Sequence, residues 1–142
     1  MSFTYIDAIQ QAQLDLLRER EDVFLYGQDI GNFGGAFKAT KGFIKEFPDR
    51  VLDAPISEDA MAGMAIGAAI SGMRPIVEMQ FADFSSIAFN QIVNQAGTHF
   101  YRTGIPVPIT MRMPCGGTPG SGPFHSQMVE TVSYTHLTLP TI

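Results

Sequence analysis

The 142-residue chain is 45% hydrophobic and 16% charged, a globular composition with enough length to bury a core of its own. A net charge of -5 with no run of Lys or Arg excludes nucleic acid and anionic membrane as expected partners. A single cysteine, Cys115, excludes an internal disulfide and a cysteine-built metal cluster, and it fits a reducing compartment.

The first element is a helix. "TYIDAIQQAQLDLLRER" places Ile6, Ile9, Leu16 and Leu17 at helical spacing, with Thr4 as N-cap and Asp7 three residues on. The start "MSFTYIDAIQ" lacks the basic and apolar blocks of a signal peptide. The most apolar run, residues 60–72, falls short of the roughly 20 residues a membrane helix needs. The expected location is therefore cytoplasmic, of bacterial type, with an organellar precursor as the alternative.

"VFLYG" (23–27) reads as a strand, and "QDIGNFGGAF" (28–37) as a glycine-rich loop. "TKGFIKEFP" is a short helix stopped by Pro48, and "RVLDA" is strand-like. A helix follows over 58–72, then a strand over 74–80, a helix over 84–101 and a strand over 107–113. "PCGGTPGSGPF" (114–124) is a long Gly/Pro loop leading to "HSQMVE". From about Val132 the text turns to "VSYTHLTLPTI", threonine-rich and without the preceding pattern. It resembles the translation of a sequencing adaptor, so the domain is taken as 1–131 and 132–142 as an unrelated tail, with a C-terminal strand as the alternative.

Strands alternating with helices predict an α/β fold, a parallel sheet with helices on both faces. Such sheets bind ligands beyond the carboxyl ends of their strands. Four strand-to-helix connections, 28–37, 54–58, 80–84 and 114–125, would then share one rim. Ser57, Glu58 and Asp59 at the start of a helix have an ordinary reading: a serine cap, and acids that complement the helix dipole. The helix behind them adds something. Gly63, Gly67 and Ser71 form a small-residue stripe, and glycine costs roughly 1 kcal/mol per residue against Ala in a helix interior. That stripe predicts close packing on a neighbouring helix or a second subunit. A carboxylate at such an interface is partly desolvated and suited to holding a proton near neutral pH.

Phe84 reads either as core or as a flat ring that stacks on a heterocycle, and His125 either as a surface residue or as a proton-transfer group on the rim. "GGTPGSG" lacks the Gly-Lys-Ser/Thr of a phosphate loop and reads as a lid or subunit contact.

"VFLYGQDIGNFGGAFKATKGF", "RVLDAPISEDAMAGMAIGAAISGMRPIVEMQFADF", "NQIVNQAGTHFYRTG", "VPITMRMPCGG" and "HSQMVE" resemble, in order over residues 3–131, the beta subunit of the decarboxylating component of 2-oxo acid dehydrogenase complexes. The pyruvate, branched-chain and acetoin enzymes are of this type. The resemblance covers only the first part of the family's length. It implies a thiamine diphosphate fold in which the beta subunit holds the aminopyrimidine ring. An alpha subunit holds the diphosphate through Mg²⁺, and the site forms between subunits of an α₂β₂ assembly.

Carried over residue by residue, Glu58 matches the carboxyl that hydrogen-bonds the pyrimidine ring nitrogen and sets its tautomer. Phe84 matches the aromatic packed on the pyrimidine, and Gln80 lies in the same contact stretch. His125 matches the histidine implicated in acyl transfer to a lipoyl group of the acyltransferase core. Ile109 matches a position whose backbone carbonyl helps bind a structural K⁺. Many members carry Gly-Glu-Asp where this chain has Gly27-Gln28-Asp29, and that Glu belongs to an acidic path between paired sites. Gln28 forms hydrogen bonds but does not relay a proton as a carboxylate does. The implied function is oxidative decarboxylation of a 2-oxo acid, with the chain inactive alone. The alternatives are the pyrimidine module of a transketolase-like enzyme and a non-catalytic interaction subunit.

Overall fold

A computed structural model describes residues 2–116 and 120–130. Residues 117–119 of the Gly/Pro loop and the change of composition near Val132 lie outside the described residues. The elements run α1 (Tyr5–Glu19), β1 (Val23–Gly27), α2 (Phe43–Glu46), β2 (Val51–Asp53), α3 (Glu58–Ile70), β3 (Arg74–Glu78), a 3₁₀ turn (Ala82–Ser86), a π-helical turn (Gln91–Ala96), α4 (Gly97–Thr103), β4 (Thr110–Arg112) and a second 3₁₀ turn (Gly122–Phe124). Among the described residues no helix is long and apolar enough to cross a membrane.

The four strands form one sheet in the order β2-β1-β3-β4, and every pair is parallel. Parallel pairing requires crossovers, so both sheet faces are covered. Side-chain alternation sorts the core accordingly. Val23, Leu25, Val51 and Ile76 cluster with Leu17 of α1 and Phe43 of α2 on one face. Phe24, Tyr26, Val77 and Met79 cluster with Met61, Ala62 and Ala65 of α3 on the other. The expected sandwich is what the chain forms.

α1 begins as expected. The Thr4 hydroxyl accepts from the Asp7 N–H at 3.3 Å, and the Asp7 carboxylate accepts from the Thr4 N–H at 2.9 Å. At the far end of this layer Arg50 reaches back across the chain. Its guanidinium donates to the carbonyls of Leu17 and Arg20 at 2.7 Å each and lies over the Phe47 ring. The last turn of α1 thus gains donors for carbonyls that have no partner within the helix.

Several boundaries differ from the sequence reading. Ser57 stands at the N-cap of α3, but its side chain makes no capping bond; the turn is closed by the Met61 N–H on the Ser57 carbonyl at 2.9 Å. The helix expected over 84–101 is broken into three pieces. Ser85 and Ser86 turn their hydroxyls back onto the carbonyls of Ala82 and Asp83 at 2.7 and 2.9 Å, which holds a 3₁₀ turn instead of a helical start. β3 pairs regularly only to Glu78, and β4 is confined to Thr110–Arg112 because Pro106 and Pro108 carry no N–H for the ladder.

The small-residue stripe also resolves differently along its length. At Gly63 an added Cβ would lie 3.5 Å from the Gln91 amide of the π turn, and that amide bonds Asp59 at 3.2 Å. At Gly67 an added Cβ would meet nothing within 4 Å among the described residues. Within the described residues of this chain the stripe is in ordinary van der Waals contact at Gly63 and open at Gly67.

The Arg50 anchor yields a first prediction. Arg50→Ala in the full-length protein should lower the denaturant midpoint by an amount equivalent to about 1.5–3 kcal/mol, the range for hydrogen bonds from a charged donor. An unchanged midpoint would show that the guanidinium contributes nothing to the fold.

Candidate active-site rim

The connection leaving β1 leads to β2 on one side, while that leaving β3 leads to β4 on the other. The loops therefore part at the β1/β3 boundary, where open parallel sheets place their ligands. Asp53, Gly27, Glu78 and Arg112 are register partners in one row across the carboxyl ends of all four strands.

The charges in this row come from otherwise apolar strands and are neutralised locally. The Arg112 Nε donates to Glu78 Oε2 at 3.1 Å, and its Nη2 lies 2.7 Å from the same oxygen, with the Glu78 side chain 4% and the Arg112 side chain 17% exposed. The glycine loop 28–37 folds over this row rather than over a phosphate. The Gly31 N–H donates to Asp53 Oδ1 at 2.7 Å. An added Cβ at Gly31 would stand 2.6 Å from Asp53 Oδ2, and one at Gly35 2.8 Å from Glu78 Oε1. Thr40 closes the loop by donating to the Ile30 carbonyl at 2.6 Å.

One residue beyond Gly27 the chain turns to the α3 face. Gln28 is 3% and Glu58 6% exposed, and the Gln28 Nε2 donates to Glu58 Oε1 at 3.0 Å. The same nitrogen lies 3.5 Å from the Met61 sulfur. Among the described residues, Glu58 Oε2 accepts no hydrogen bond. Glu58 is also the first residue of α3, where unpaired N–H groups favour a negative charge.

The other predicted residues fall in two places. Gln80 donates to Asp29 Oδ2 at 3.1 Å, bridging the loops that follow β3 and β1. Asp29 holds this bond from a left-handed backbone, φ 56°. Phe84 and His125 meet directly, ring centroids 5.5 Å apart and edge-on at 80°. Phe81 packs edge-on against both, at 5.9 Å from Phe84 and 4.8 Å from His125. Phe37 of the glycine loop joins Phe81 at 5.6 Å. Ile109 stands apart, immediately before β4 and so at the opposite end of the strand from this rim; its N–H donates to the Val107 carbonyl at 2.9 Å.

Sequence reasoning missed Phe37, Phe81 and the Glu78–Arg112 pair; it placed Asp83 on the 80–84 connection of the rim without giving it a role. The available signal for the pair was a glutamate late in "RPIVEMQ" and an arginine late in "VPITMRM". Asp83 is 8% exposed; its Oδ1 accepts the Gln127 N–H at 3.2 Å, and its Oδ2 has no partner among the described residues. It ties the segment carrying His125 to the turn carrying Phe84.

A cleft of about 510 Å³ opens beside the aromatic group, walled by Ile9, Phe37, Phe81, Arg112, Met113 and Cys115. Glu58 does not line it. The Cys115 thiol is held above its ordinary pKa by its hydrogen bond to Glu130, with burial adding to the effect, so it is not an activated thiolate. Among the described residues no group of three or more His, Cys, Asp or Glu is arranged to hold a metal ion.

A family profile described as "Transketolase, pyrimidine binding domain" matches residues 1–138. The chain belongs to this family. The pyrimidine-binding domain is similar to the 2-oxoisovalerate dehydrogenase subunit beta of Bacillus subtilis, at 46% identity over 132 residues, covering 91% of the chain and 40% of the relative. The corresponding subunit of Pseudomonas aeruginosa is 43% identical, with 92% and 38% covered. The mitochondrial pyruvate dehydrogenase E1 component subunit beta of Homo sapiens is 41% identical, with 89% and 36% covered. The domain thus spans about two fifths of the length of the curated relatives it matches. Among solved structures, a split-gene transketolase in the form of an inactive beta4 tetramer shares the fold, with a TM-score of 0.65 at 22% identity over 87% of this chain and 37% of that one.

The pair beneath the glycine loop generates a second prediction. Removing one partner of a buried ion pair leaves an uncompensated charge and costs about 3–5 kcal/mol. Glu78→Gln and Arg112→Met should each lower the unfolding midpoint of the full-length protein, while the double variant should lose clearly less than the two losses combined. Strict additivity would show that the pair does not act as a unit.

Proposed function

We propose that this domain is the pyrimidine-binding part of the beta subunit of a thiamine diphosphate-dependent 2-oxo acid dehydrogenase. Its substrate would be pyruvate or a branched-chain 2-oxo acid. Its partners would be an alpha subunit, in an α₂β₂ assembly, and a lipoyl-bearing acyltransferase core. The observation that carries the proposal is Glu58: a carboxyl buried at the carboxyl-end rim of a parallel sheet, held through Oε1 by Gln28, with Oε2 free of hydrogen bonds among the described residues. The names of the relatives support the same reading.

The donor set fits the cofactor's pyrimidine half. A carboxyl oxygen matches a ring nitrogen, and the half-buried Phe84 ring offers an aromatic face on the same rim. When bound, thiamine diphosphate supplies the carbon nucleophile that makes loss of CO₂ from a 2-oxo acid feasible. The chain's own residues do the rest of what is assigned here. Glu58 holds a proton at Oε2 and fixes the ring's tautomer through it. Phe84, braced edge-on by Phe81 and His125, limits where the ring lies. His125, steadied by both phenylalanines, is placed to hold a proton at the mouth of the site during acyl transfer. The diphosphate and its Mg²⁺ are assigned to the alpha subunit, and the Ile109 carbonyl to a structural K⁺. The domain is assigned to residues 1–131, and the profile match that runs on to residue 138 takes in part of the segment after it.

In the full-length alpha/beta enzyme, Glu58→Gln should lower turnover with 2-oxo acid and lipoamide acceptor by roughly 10²–10⁴-fold, the contribution of a positioned proton-transfer group. Turnover close to that of the unaltered enzyme would remove Glu58 from the mechanism. Transfer to a sugar aldehyde instead of lipoamide would favour a transketolase-like activity.

A further inference from the structure

We infer that Gln28 is a positioning residue that divides the two oxygens of Glu58 between two tasks. Oε1 is committed as an acceptor of the Gln28 amide, and Oε2 is the oxygen that carries a proton and faces the cofactor. The inference rests on the reading that Glu58 addresses the pyrimidine ring, and it concerns only how this chain holds that carboxyl.

The geometry makes the assignment. The Gln28 nitrogen has an acceptor on each side, Glu58 Oε1 at 3.0 Å and the Met61 sulfur at 3.5 Å. An amide oxygen in that place would face both a carboxyl oxygen and a sulfur lone pair, so the amide has one favourable orientation. Both residues are more than nine-tenths buried, and a hydrogen bond to a charged group is worth more there than one in water. A carboxyl whose Oε1 already receives an N–H places an added proton on Oε2.

At position 28 Glu58 meets an amide, which does not titrate, in place of a second carboxyl. The other acids near this end of the sheet are engaged elsewhere. Asp59 of α3 is bonded by Gln91 of the π turn, and Asp29 of the β1 loop by Gln80. Asp53 of β2 is bonded by Gly31, and Glu78 of β3 is paired with Arg112, both in the row over the opposite sheet face. A carboxyl at position 28 would change this, since two buried carboxylates at contact distance do not both ionise freely.

The test uses the full-length beta subunit assembled with its alpha subunit and free of cofactor. Ionisation of Glu58 is followed by pH-difference infrared spectroscopy, its band assigned by loss in Glu58→Gln. Thiamine diphosphate binding is followed by calorimetry. Unaltered protein should show one Glu58 step. Gln28→Glu should show two coupled steps about one pH unit or more apart. Gln28→Leu should keep a single step and bind thiamine diphosphate about tenfold or more weakly, the factor carried by one hydrogen bond to a charged group. A single unshifted step in Gln28→Glu, together with unaltered binding in Gln28→Leu, would overturn the inference. If Gln28→Leu fails to assemble, the titration of the near-isosteric Gln28→Glu decides alone. The two readings fail separately: normal cofactor binding and turnover in Glu58→Gln would sink the proposed function, whereas a defective Glu58→Gln beside two silent Gln28 variants would sink only the positioning role.

Discussion

The site depends on what happens in two residues at the end of β1. Gly27 sits in register between Asp53 and Glu78, and a Cβ there would lie 2.6 Å from the Glu78 carbonyl oxygen and 3.0 Å from the Ile30 side chain. The missing side chain lets the β1–β3 boundary close and lets Ile30 pack down over it. The next residue turns to the opposite face, where Gln28 meets Glu58 and Met61. One residue seals the sheet end on the α1/α2 side, and its neighbour builds the site on the α3 side. The glycine loop belongs to the first task, since Gly31 and Gly35 are close against the carboxylates of Asp53 and Glu78.

Two groups of side chains then share the rim. The Glu58 carboxyl is held from one direction by an amide and stands at the start of a helix. Phe37, Phe81, Phe84 and His125 form a chain of edge-on rings beside the cleft. The Gln80–Asp29 bond ties the loop after β1, which bears Phe37, to the loop after β3, which bears Phe81 and Phe84. On the proposed reading the rim divides the labour: a polar group sets the state of a ring nitrogen, and an aromatic group limits where the ring lies and steadies a histidine. On the same proposed reading the diphosphate falls to an alpha subunit, and the domain acts within an assembly.

Much of this was legible in the residues. Short apolar runs located the four strands and helical spacing the first helix, and the alternation of strands with helices implied a parallel sheet with one shared rim. Glu58 stood out because a carboxylate opened a helix rich in Ala, Gly and Met. Its assignment to a pyrimidine nitrogen came from family resemblance and not from spacing. Pairwise facts were not legible. Nothing in "YGQDIG" says that Gln28 points at a residue thirty positions on, because strand parity fixes a face and not a partner. The Ser85 and Ser86 back-bonds that break the expected 84–101 helix are equally local and unmarked by periodicity. At Ser57 a common capping residue stood in the right place, yet its hydroxyl makes no cap bond.

The central claim is that Glu58, oriented by Gln28, is the carboxyl that meets the pyrimidine ring. The most direct measurement is an experimental structure of the full-length alpha/beta assembly with thiamine diphosphate bound. The account predicts Glu58 Oε2 within hydrogen-bond distance of the pyrimidine ring nitrogen, with the Gln28 amide still on Oε1. A ring nitrogen paired with another group, or Glu58 turned away from the cofactor, would contradict it.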